Sequence, residues 1–561
     1  MSFNPPFDRP RPLRQSMAWL HTWTGLLLGW LLFVIFASGS LSFFRNEINF
    51  WMHPELHHLR DDARAIIHAR RVLEREAPDS RQWTITLPGP RDPTLFVAWR
   101  ADVLSSRYSS PSPRSGASRR PAHGSRPEMK RLGLDPSTGE ILKMRESSGA
   151  TFLFRLHFQL HGVSWFVGRW TVGIAAMVML VALVTGVIIH RNFFKDFFTF
   201  RPNRGKRSWL DAHALVGVVS LPFHFAITFS GLLLLGAMLM PSVVRSVYPD
   251  DATGFTMGIR GGRDRFNIAP PSRKPAPLGD LAPMVDAAQE EWRGGRAGSV
   301  VVANPGDAGA TVEVIQAQGY SLANRGIARR LLFDGITGKR LETPPAKASS
   351  AIVSVWNSLV TLHLGRFATP VQRWLLFLAG ISGALMIATG LILWRISRFK
   401  ARGPGEAIPV GCRCVEILNV SGISGWLIAL GAYFWAGRLL PDTLFARSEW
   451  EIRVFFLAWA ASLIHATLRK HLSAWVEQLS FSGALIALLP LVNGLTGVSP
   501  LFRSLASGPW QVAGFDLCAL FAGALLLFAA RKVHLHNFGS IALHEPGERP
   551  LPATDERSRR R

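Results

Sequence analysis

The chain has 561 residues, of which 48% are hydrophobic, and a formal net charge of +25 at pH 7. These totals allow either a large soluble protein or a membrane protein with sizeable domains outside the bilayer. No recognised nucleic-acid-binding motif accompanies the charge, so we expect no nucleic acid as a partner. Cys412, Cys414 and Cys518 lie outside the two longest polar segments and form no Cys-x-x-Cys-His motif. This excludes disulfides in those segments and covalently attached c-type haem.

The chain contains eight apolar runs, and most of them have the ~20 residues that a helix needs to cross a bilayer. The shortest run, 454–468, spans a bilayer only if the flanking Arg453 and Arg469 extend to the interfaces. We therefore predict an α-helical, multi-spanning membrane protein with about eight transmembrane helices. The runs cover 17–44, 170–189, 212–244, 374–394, 417–437, 454–468, 479–502 and 504–530, the last interrupted by Asp516.

Lysine and arginine residues collect in short segments that we expect on the cytoplasmic side. Arg9, Arg11 and Arg14 precede the first run, and segments 191–207 and 395–413 are strongly basic. Both termini are therefore predicted to be cytoplasmic, and the two longest polar segments periplasmic. We expect the protein in a bacterial inner membrane, with the lipid bilayer as a partner.

The predicted organisation alternates spans with two external α+β modules. Residues 105–130, rich in Ser, Pro, Arg and Gly, are expected to be a disordered insertion in the first module. The predicted segments are 1–16 (cytoplasmic), 17–50 (first span), 51–149 (first module), 152–191 (second span), 192–207 (cytoplasmic loop), 208–240 (third span), 241–350 (second module), 352–398 (fourth span), 399–415 (cytoplasmic linker), 416–531 (C-terminal half of four helices) and 532–561 (cytoplasmic tail).

An internal duplication relates the two modules and their spans, so that one unit is helix, external module, helix. The C-terminal half shows no match to this repeat. The matches are His21 with His213, Gly25 with Gly217, Ser38-Gly39 with Ser230-Gly231, Asp135 and Thr138-Gly139 with Asp334 and Thr337-Gly338, and Arg169-Trp170 with Arg373-Trp374.

Seven histidines lie within or at the mouths of the four duplicated spans, where ionisable side chains are costly and usually functional. Haem b needs two neutral imidazoles that face each other from different helices. Because the histidines fall at two depths, we predict two haems b, one near each membrane face. The candidate ligands are His21, His157, His161, His190, His213, His224 and His363.

The duplication ranks these candidates. His21 and His213 are repeat equivalents near the cytoplasmic ends of their spans. His161 and His363 are near equivalents at the external ends, two residues out of register. His157 shares a predicted helix face with His161 and is the alternative ligand there.

His190 and His224 have no histidine counterpart in the other repeat. His190 lies at a cytoplasmic end. His224 lies ~16 Å along its helix from His213, where Pro222 should kink the helix. It could serve a more central haem or a step between two haems.

Bare zinc or copper sites fit less well, since no Cys, Met or carboxylate cluster accompanies the histidines. A proton relay through neutral histidines is the stronger alternative without haem. Cys412-Arg-Cys414 could be a redox pair but reads better as two reduced thiols. Asp516 suits a functional or an interfacial carboxylate equally.

Several short patterns occur together over residues 14–400. They are Trp19-Leu20-His21 with Gly25 and Ser38-Gly39, Leu156-His157, Leu210-Asp211-Ala212-His213 with Gly217, Leu362-His363-Leu364-Gly365, and the two Asp-x-x-Thr-Gly hairpins. The combination resembles the PepSY-associated transmembrane helix family, whose members include iron-regulated inner-membrane proteins and ferrisiderophore reductases with two haems.

The resemblance implies an oxidoreductase that passes electrons from a cytoplasmic or quinol donor to a ferric siderophore, or another ferric chelate, in the periplasm. The insertion in the first module and the extra C-terminal half depart from the family pattern. Two other functions stay open. One is a PepSY-based periplasmic binding or regulatory protein in which the histidines are structural. The other is a siderophore or iron permease whose path runs through the C-terminal helices.

Overall fold

The computed structural model describes residues 13–100, 129–190, 201–202, 204–247, 270–317, 329–342, 351–398 and 408–542. Within these residues, eight helices are long and apolar enough to cross a membrane, which confirms the predicted multi-spanning helical architecture. The short sixth run belongs to a longer helix, Arg447–Leu468, which has 22 residues. The remaining structure is a single antiparallel sheet with two helices packed beside it.

Each span of the first half has a short helix before or after it. These are α1 (Leu13–Ser42), α2 (Arg45–Met52), α3 (Ala65–Glu76), α4 (Gly149–Phe158), α5 (Trp165–Ile189), α6 (Lys206–Val219), α7 (Leu221–Leu239), α8 (Pro241–Val247), α9 (Leu281–Glu291), α10 (Ala351–Leu364) and α11 (Pro370–Arg398). Helices α3 and α9 belong to the sheet domain, and the others lie in or at the membrane.

Two of these interruptions have clear local causes. The expected kink near Pro222 is confirmed as a break at Ser220, because proline lacks the N–H that would continue the ladder. The predicted second span is not one helix. Its chain turns after α4 through Leu160 and Gly162, whose φ angles of +62° and +79° are incompatible with a right-handed helix.

The sheet has seven strands in the order β3-β2-β1-β4-β5-β6-β7, all antiparallel. Strands β1 to β3 come from the first predicted module and β4 to β7 from the second. Strand β1 pairs with β4 in the register Trp83 to Val302 and Ile85 to Val300. The strands are β1 (Gln82–Thr86), β2 (Leu95–Arg100), β3 (Met129–Leu134), β4 (Ala297–Ala303), β5 (Thr311–Gln316), β6 (Arg330–Asp334) and β7 (Arg340–Leu341).

The two modules thus form one sheet with one hydrophobic core. Alternate side chains, including Ile85, Val97, Val300 and Val312, are fully buried against α3 and α9. This period of two is what a half-buried antiparallel sheet requires. The predicted arrangement of two separate modules therefore needs correction, since their strands join edge to edge in one sheet.

Each Asp-x-x-Thr-Gly hairpin is organised by its own aspartate. Asp135 Oδ1 accepts hydrogen bonds from the Ser137 N–H at 2.8 Å and its hydroxyl at 2.6 Å. Asp334 Oδ1 accepts the matching pair from Thr337 at 2.7 and 2.8 Å. The Thr337 N–H is the main cause of a lowered pKa at Asp334. The hairpin aspartates are therefore structural residues of tight turns.

The C-terminal half contributes four spans that pack on α1, α2 and the start of α4. Its first span contains a π-helical segment, Val420–Gly425, between two α-helices. The elements are α12 (Val410–Asn419), α13 (Trp426–Leu439), α14 (Arg447–Leu468), α15 (His471–Ala487), α16 (Leu489–Thr496), α17 (Leu501–Ser507) and α18 (Trp510–Ala542).

Several predicted boundaries need correction. Met129 and Lys130 begin β3 and do not belong to a disordered insertion, while 105–128 lie outside the described residues. Helix α18 continues to Ala542, beyond the predicted start of the tail at residue 532, and α12 begins inside the predicted linker. Parts of the predicted loops, the linker and the second module also lie outside the described residues.

Candidate functional site

Two pairs of histidines face each other between the four spans of the first half. His21 on α1 and His213 on α6 have ring centroids 6.2 Å apart. His157 on α4 and His363 on α10 have ring centroids 6.0 Å apart. We call these the terminal pair, nearer the start of α1, and the sheet pair, nearer the sheet.

Every histidine of the two pairs makes the same kind of hydrogen bond. The Nδ1 atom lies 2.8 to 2.9 Å from a main-chain carbonyl of a neighbouring helix. Because a carbonyl can only accept, Nδ1 carries the proton and Nε2 keeps its lone pair. The partners are Ala182 O for His21, Ile35 O for His157, Met386 O for His213 and Ile227 O for His363.

Hydroxyl groups reinforce three of these carbonyl contacts. Thr185 Oγ1 lies 3.3 Å from His21 Nδ1, and Thr389 Oγ1 lies 3.2 Å from His213 Nδ1. Ser230 Oγ lies 3.0 Å from the Nδ1 of His363. Such second partners fix ring orientation, so three of the rings are held by two contacts each.

Each paired imidazole also lies against a glycine of a neighbouring helix. A Cβ atom at Gly39 would stand 2.5 Å from His157 Nδ1, and one at Gly231 would stand 3.0 Å from His363 Cε1. In the terminal pair, Gly390 would bring a Cβ to 3.1 Å from His213 Cε1, and Gly186 to 3.3 Å from His21 Cε1. The absence of side chains at these positions lets the rings fit between the helices.

A cavity of about 390 Å³ adjoins the terminal pair. Its volume falls in the range of small-molecule and cofactor sites, roughly 300 to 1,000 Å³. Apolar side chains and the small residues Gly25, Gly29 and Gly217 line most of its wall. Lys206 and Arg398 are the cationic side chains of that lining, so the cavity combines an apolar body with positive charge.

The remaining candidate histidines take other positions. His224 is fully buried on α7, with Nε2 3.2 Å from Ala379 O and its ring 5.7 Å from Phe36. His190 lies in the wall of the terminal cavity. His161 is exposed in the turn after α4 and stacks on Phe456 at 5.5 Å.

The expected equivalence of His161 and His363 is wrong. Helix α4 ends at Phe158, so His157 and His161 do not share a helix face. His157 and His363 are instead the second-last residues of α4 and α10. The turn from α4 to Arg169 is longer than the matching turn from α10 to Arg373, and this length difference shifted the alignment.

Sequence reasoning also missed the polar network of the C-terminal half. Asp516, fully buried, accepts hydrogen bonds from Trp51 Nε1 and Asn493 Nδ2, both at 2.8 Å. Arg438 donates to Asn493 Oδ1 at 2.7 Å and lies 4.8 Å from the Trp51 ring. Asp516 therefore ties the C-terminal half to α2. A buried carboxylate in a span was the one signal for it.

In the part of the chain that the structure describes, no group of three or more His, Cys, Asp or Glu side chains could hold a metal ion. The paired imidazoles, with two nitrogen lone pairs per site, are thus the strongest candidate ligands in the described chain. The family of the PepSY-associated TM region matches residues 18–396, which contain both pairs. The chain belongs to this family.

The chain is also similar to the uncharacterized protein PA4219 of Pseudomonas aeruginosa. The two are 27% identical over 390 residues, which cover 64% of this chain and 90% of the relative. Membership of the family agrees with the eight apolar helices, and the chain is a multi-pass membrane protein. Residues 397–561, with the C-terminal half, lie beyond the family match.

Proposed function

We propose that this protein carries electrons across the membrane on two haems b and reduces a ferric chelate, such as a ferric siderophore, in the periplasm. The observation that carries the proposal is the geometry of the two histidine pairs. Both pairs have closely similar ring separations, and all four rings share one pattern of Nδ1 contacts.

The ring separations fit two imidazoles bound to one metal ion. A metal–imidazole bond of about 2 Å on each side places the ring centres about 6 Å apart. The observed 6.2 and 6.0 Å agree with that requirement. His21 with His213, and His157 with His363, would therefore hold the iron of each haem through their Nε2 atoms.

The surroundings fit a porphyrin as well as its iron. Glycines beside each ring let the imidazoles pack directly against neighbouring helices, which holds the rings in place. At the terminal pair, an apolar cavity with Lys206 and Arg398 in its lining suits a macrocycle that carries carboxylates. Bound haem iron supplies reversible one-electron chemistry, and the protein residues fix its ligands and surroundings.

The two histidine pairs lie at different heights along the spans. From His21 to Ile35, whose carbonyl holds His157, α1 rises about 21 Å at ~1.5 Å per residue. One electron that enters at the terminal pair and leaves at the sheet pair reduces one ferric ion to ferrous. A quinol gives up two electrons and two protons, so it would serve two ferric chelates.

Two observations support the direction of electron transfer: the position of the basic segments and the resemblance to ferrisiderophore reductases. Basic segments flank the terminal ends of the spans, which favours a cytoplasmic position for them and a periplasmic position for the sheet. The resemblance to ferrisiderophore reductases supports a ferric chelate as the acceptor. A quinol or a cytoplasmic reductant would then meet the terminal pair.

A visible spectrum of the purified protein tests this function. We expect a Soret band, a sharpened α band after dithionite, and a pyridine haemochrome assay that gives two haems per chain. Ferric citrate should reoxidise the dithionite-reduced protein. A colourless protein from haem-replete cells would overturn the proposal in favour of a binding or regulatory role.

A further inference from the structure

The residues that flank the two histidines of the sheet pair differ between α4 and α10. Counted from the histidine, the residues three before, two before and one after are Phe154, Arg155 and Phe158 on α4. The corresponding residues on α10 are Val360, Thr361 and Leu364. At these three positions α4 combines aromatic rings with a positive charge, and α10 does not.

Two further arginines lie over these aromatic rings. The Arg45 guanidinium is 4.9 Å from the Phe154 ring centroid, and that of Arg169 is 5.4 Å from the Phe158 centroid. The two phenylalanine rings are 5.1 Å apart. We call Arg45, Phe154, Arg155, Phe158 and Arg169 the α4 arginine face.

The cations of this face have polar or aromatic neighbours in place of carboxylates. Arg45 donates to Thr151 Oγ1 at 3.0 Å, and Arg169 donates to Gln159 Oε1 at 3.2 Å. Arg155 is exposed. Among the described residues, no carboxylate forms an ion pair with any of these three arginines.

By contrast, two arginines near the start of α2 and the start of α11 have a carboxylate partner. Arg91 and Arg373 both pair with Glu47, at 2.7 and 3.4 Å. The positive charge of the α4 arginine face is therefore local and unbalanced. Burial and the neighbouring charge of Arg155 lower the pKa of Arg45, in keeping with cations crowded together.

We propose that the α4 arginine face binds an anionic ferric chelate that carries aryl rings, of the tris-catecholate class, beside the sheet pair. The arginines supply charge and fork-shaped donors for catecholate oxygens. Phe154 and Phe158 supply flat apolar rings on which aryl groups can stack. His157 lies between these two phenylalanines in the sequence of α4. This inference names the substrate class and rests on the proposed function.

Equilibrium dialysis of the oxidised protein with radioiron-labelled chelates tests this site. The protein is held in nanodiscs of zwitterionic phosphatidylcholine, without reductant, and its haem content is measured separately. We expect a trianionic ferric tris-catecholate to bind most tightly, ferric citrate less tightly, and cationic ferrioxamine B least. Equal binding of the three chelates would overturn the proposal, whatever the haem content.

Substitutions then separate charge from stacking. Arg45→Gln and Arg169→Gln should each weaken tris-catecholate binding about tenfold, since each removes a charge-assisted contact. Joint Phe154→Leu and Phe158→Leu substitution should remove the preference over ferric citrate. The matched control is Arg64→Gln, an exposed arginine of the sheet domain that pairs with Asp62. An equal loss in the control would contradict a local site.

Two other anions could account for the same arginines. If they bind lipid phosphate, the arginine substitutions should leave chelate affinity unchanged in zwitterionic nanodiscs and should instead weaken the binding of anionic lipid. If they bind porphyrin carboxylates, the substitutions should lower haem content or shift the spectrum and leave the dissociation constants unchanged. Either result overturns the proposed chelate site.

Discussion

The two histidine pairs have similar ring separations, but their helices hold them differently. His21 and His213 lie inside α1 and α6, with at least six helical residues on either side. His157 and His363 are the second-last residues of short helices that end in turns. A helix interior fixes a side chain through its own hydrogen bonds, whereas a helix end frays unless other contacts hold it.

Helix α4 packs on α1 and α2, and the C-terminal half adds polar contacts at its start. The Tyr433 hydroxyl donates to Gly149 O at 2.7 Å, and the Ser148 N–H donates to Glu451 Oε2 at 2.9 Å. Glu451 in turn pairs with Arg447 at 2.5 Å, and both side chains are fully buried. The helix that carries His157 thus receives contacts from helices outside the family match, while the hydrogen bonds of the terminal pair come from the spans of the first half.

The largest expected effect comes from removing a paired imidazole. His21→Ala or His213→Ala should lower haem content from two to one per chain and block reduction from the terminal side. His157→Ala or His363→Ala should remove the haem at the sheet pair. The haem at the terminal pair should remain reducible from the terminal side. Pyridine haemochrome assays and stopped-flow reduction measure both effects.

His161→Ala is the matched control for these four substitutions. Its ring is exposed and stacks on Phe456, so haem content should stay at the wild-type value. If His161→Ala empties a site and His157→Ala does not, the pairing at the sheet side is wrong. If all five variants match the wild type in haem content and spectrum, the electron-transfer function fails.

Glycine substitutions test how closely the imidazoles of each pair pack against the neighbouring helix. Gly39→Ala places a methyl group 2.5 Å from His157 Nδ1, a contact that forces the ring to move. Gly186→Ala places one 3.3 Å from His21 Cε1, which a small shift can absorb. We expect Gly39→Ala to convert the haem at the sheet pair to high spin, and Gly186→Ala to leave the terminal site low spin. Electron paramagnetic resonance distinguishes these states, and equal spectra would contradict the comparison.

A smaller effect is expected from Tyr433→Phe, which removes only the hydroxyl that holds Gly149 O. The loss of one such hydrogen bond costs about 1 kcal/mol. Because Gly149 begins α4, the spectrum and midpoint potential of the sheet-side haem should shift while the terminal haem keeps both values. A Trp435→Phe variant, whose Nε1 donates to Leu485 O within the C-terminal half, serves as control. Equal shifts at both haems would contradict a specific role for this contact.

The smallest effect concerns acid stability at the base of the sheet domain. Burial, followed by the charge of Arg438, lowers the pKa of His57 to about 3, while its Nε2 donates to Phe50 O at 2.9 Å. The unfolded chain takes up this proton near pH 6.5 and the folded chain does not, so stability falls as pH drops from about 6.5 towards 3. His57→Gln should reduce the fall in apparent melting temperature between pH 7.5 and pH 5 by about 2 °C.

The exposed neighbour His58 provides the control for that measurement. His58→Gln changes the same residue type one position along the chain, at a side chain that is 55% exposed. Its ion pair with Asp135, at 3.7 Å, is half exposed and contributes little to stability, so this variant should stay close to the wild-type dependence of melting temperature on pH. A His57→Gln variant with the same acid loss as wild type would show that another group titrates.

The membrane spans and one histidine pair could be predicted from sequence because each leaves a local signal. Apolar runs of sufficient length mark the spans, and equal spacing in the repeat relates His21 to His213. The sheet partner of His363 was missed because the turn after α4 changes length and no short-range pattern reports that. Helix periodicity alone made His157 and His161 look like neighbours on one face.

The other features that could not be predicted from the sequence depend on contacts between distant parts of the chain. The pairing of β1 with β4 joins strands about two hundred residues apart, and alternation within each strand is the same whichever strand lies beside it. The glycines and carbonyls that meet the imidazoles belong to other helices. Their roles depend on which helices adjoin, and that is fixed by tertiary packing.

The joint between β1 and β4 also has a consequence for the synthesis of the protein. Strand β1 lies in the middle of the finished sheet, yet it leaves the ribosome long before β4 exists. During that interval one edge of β1 has unpaired N–H and C=O groups, which can pair with any suitable strand. The β4 strand of a second chain would satisfy that edge as well as its own would. Correct assembly therefore requires that the third span be inserted and the second module delivered before neighbouring nascent chains exchange strands.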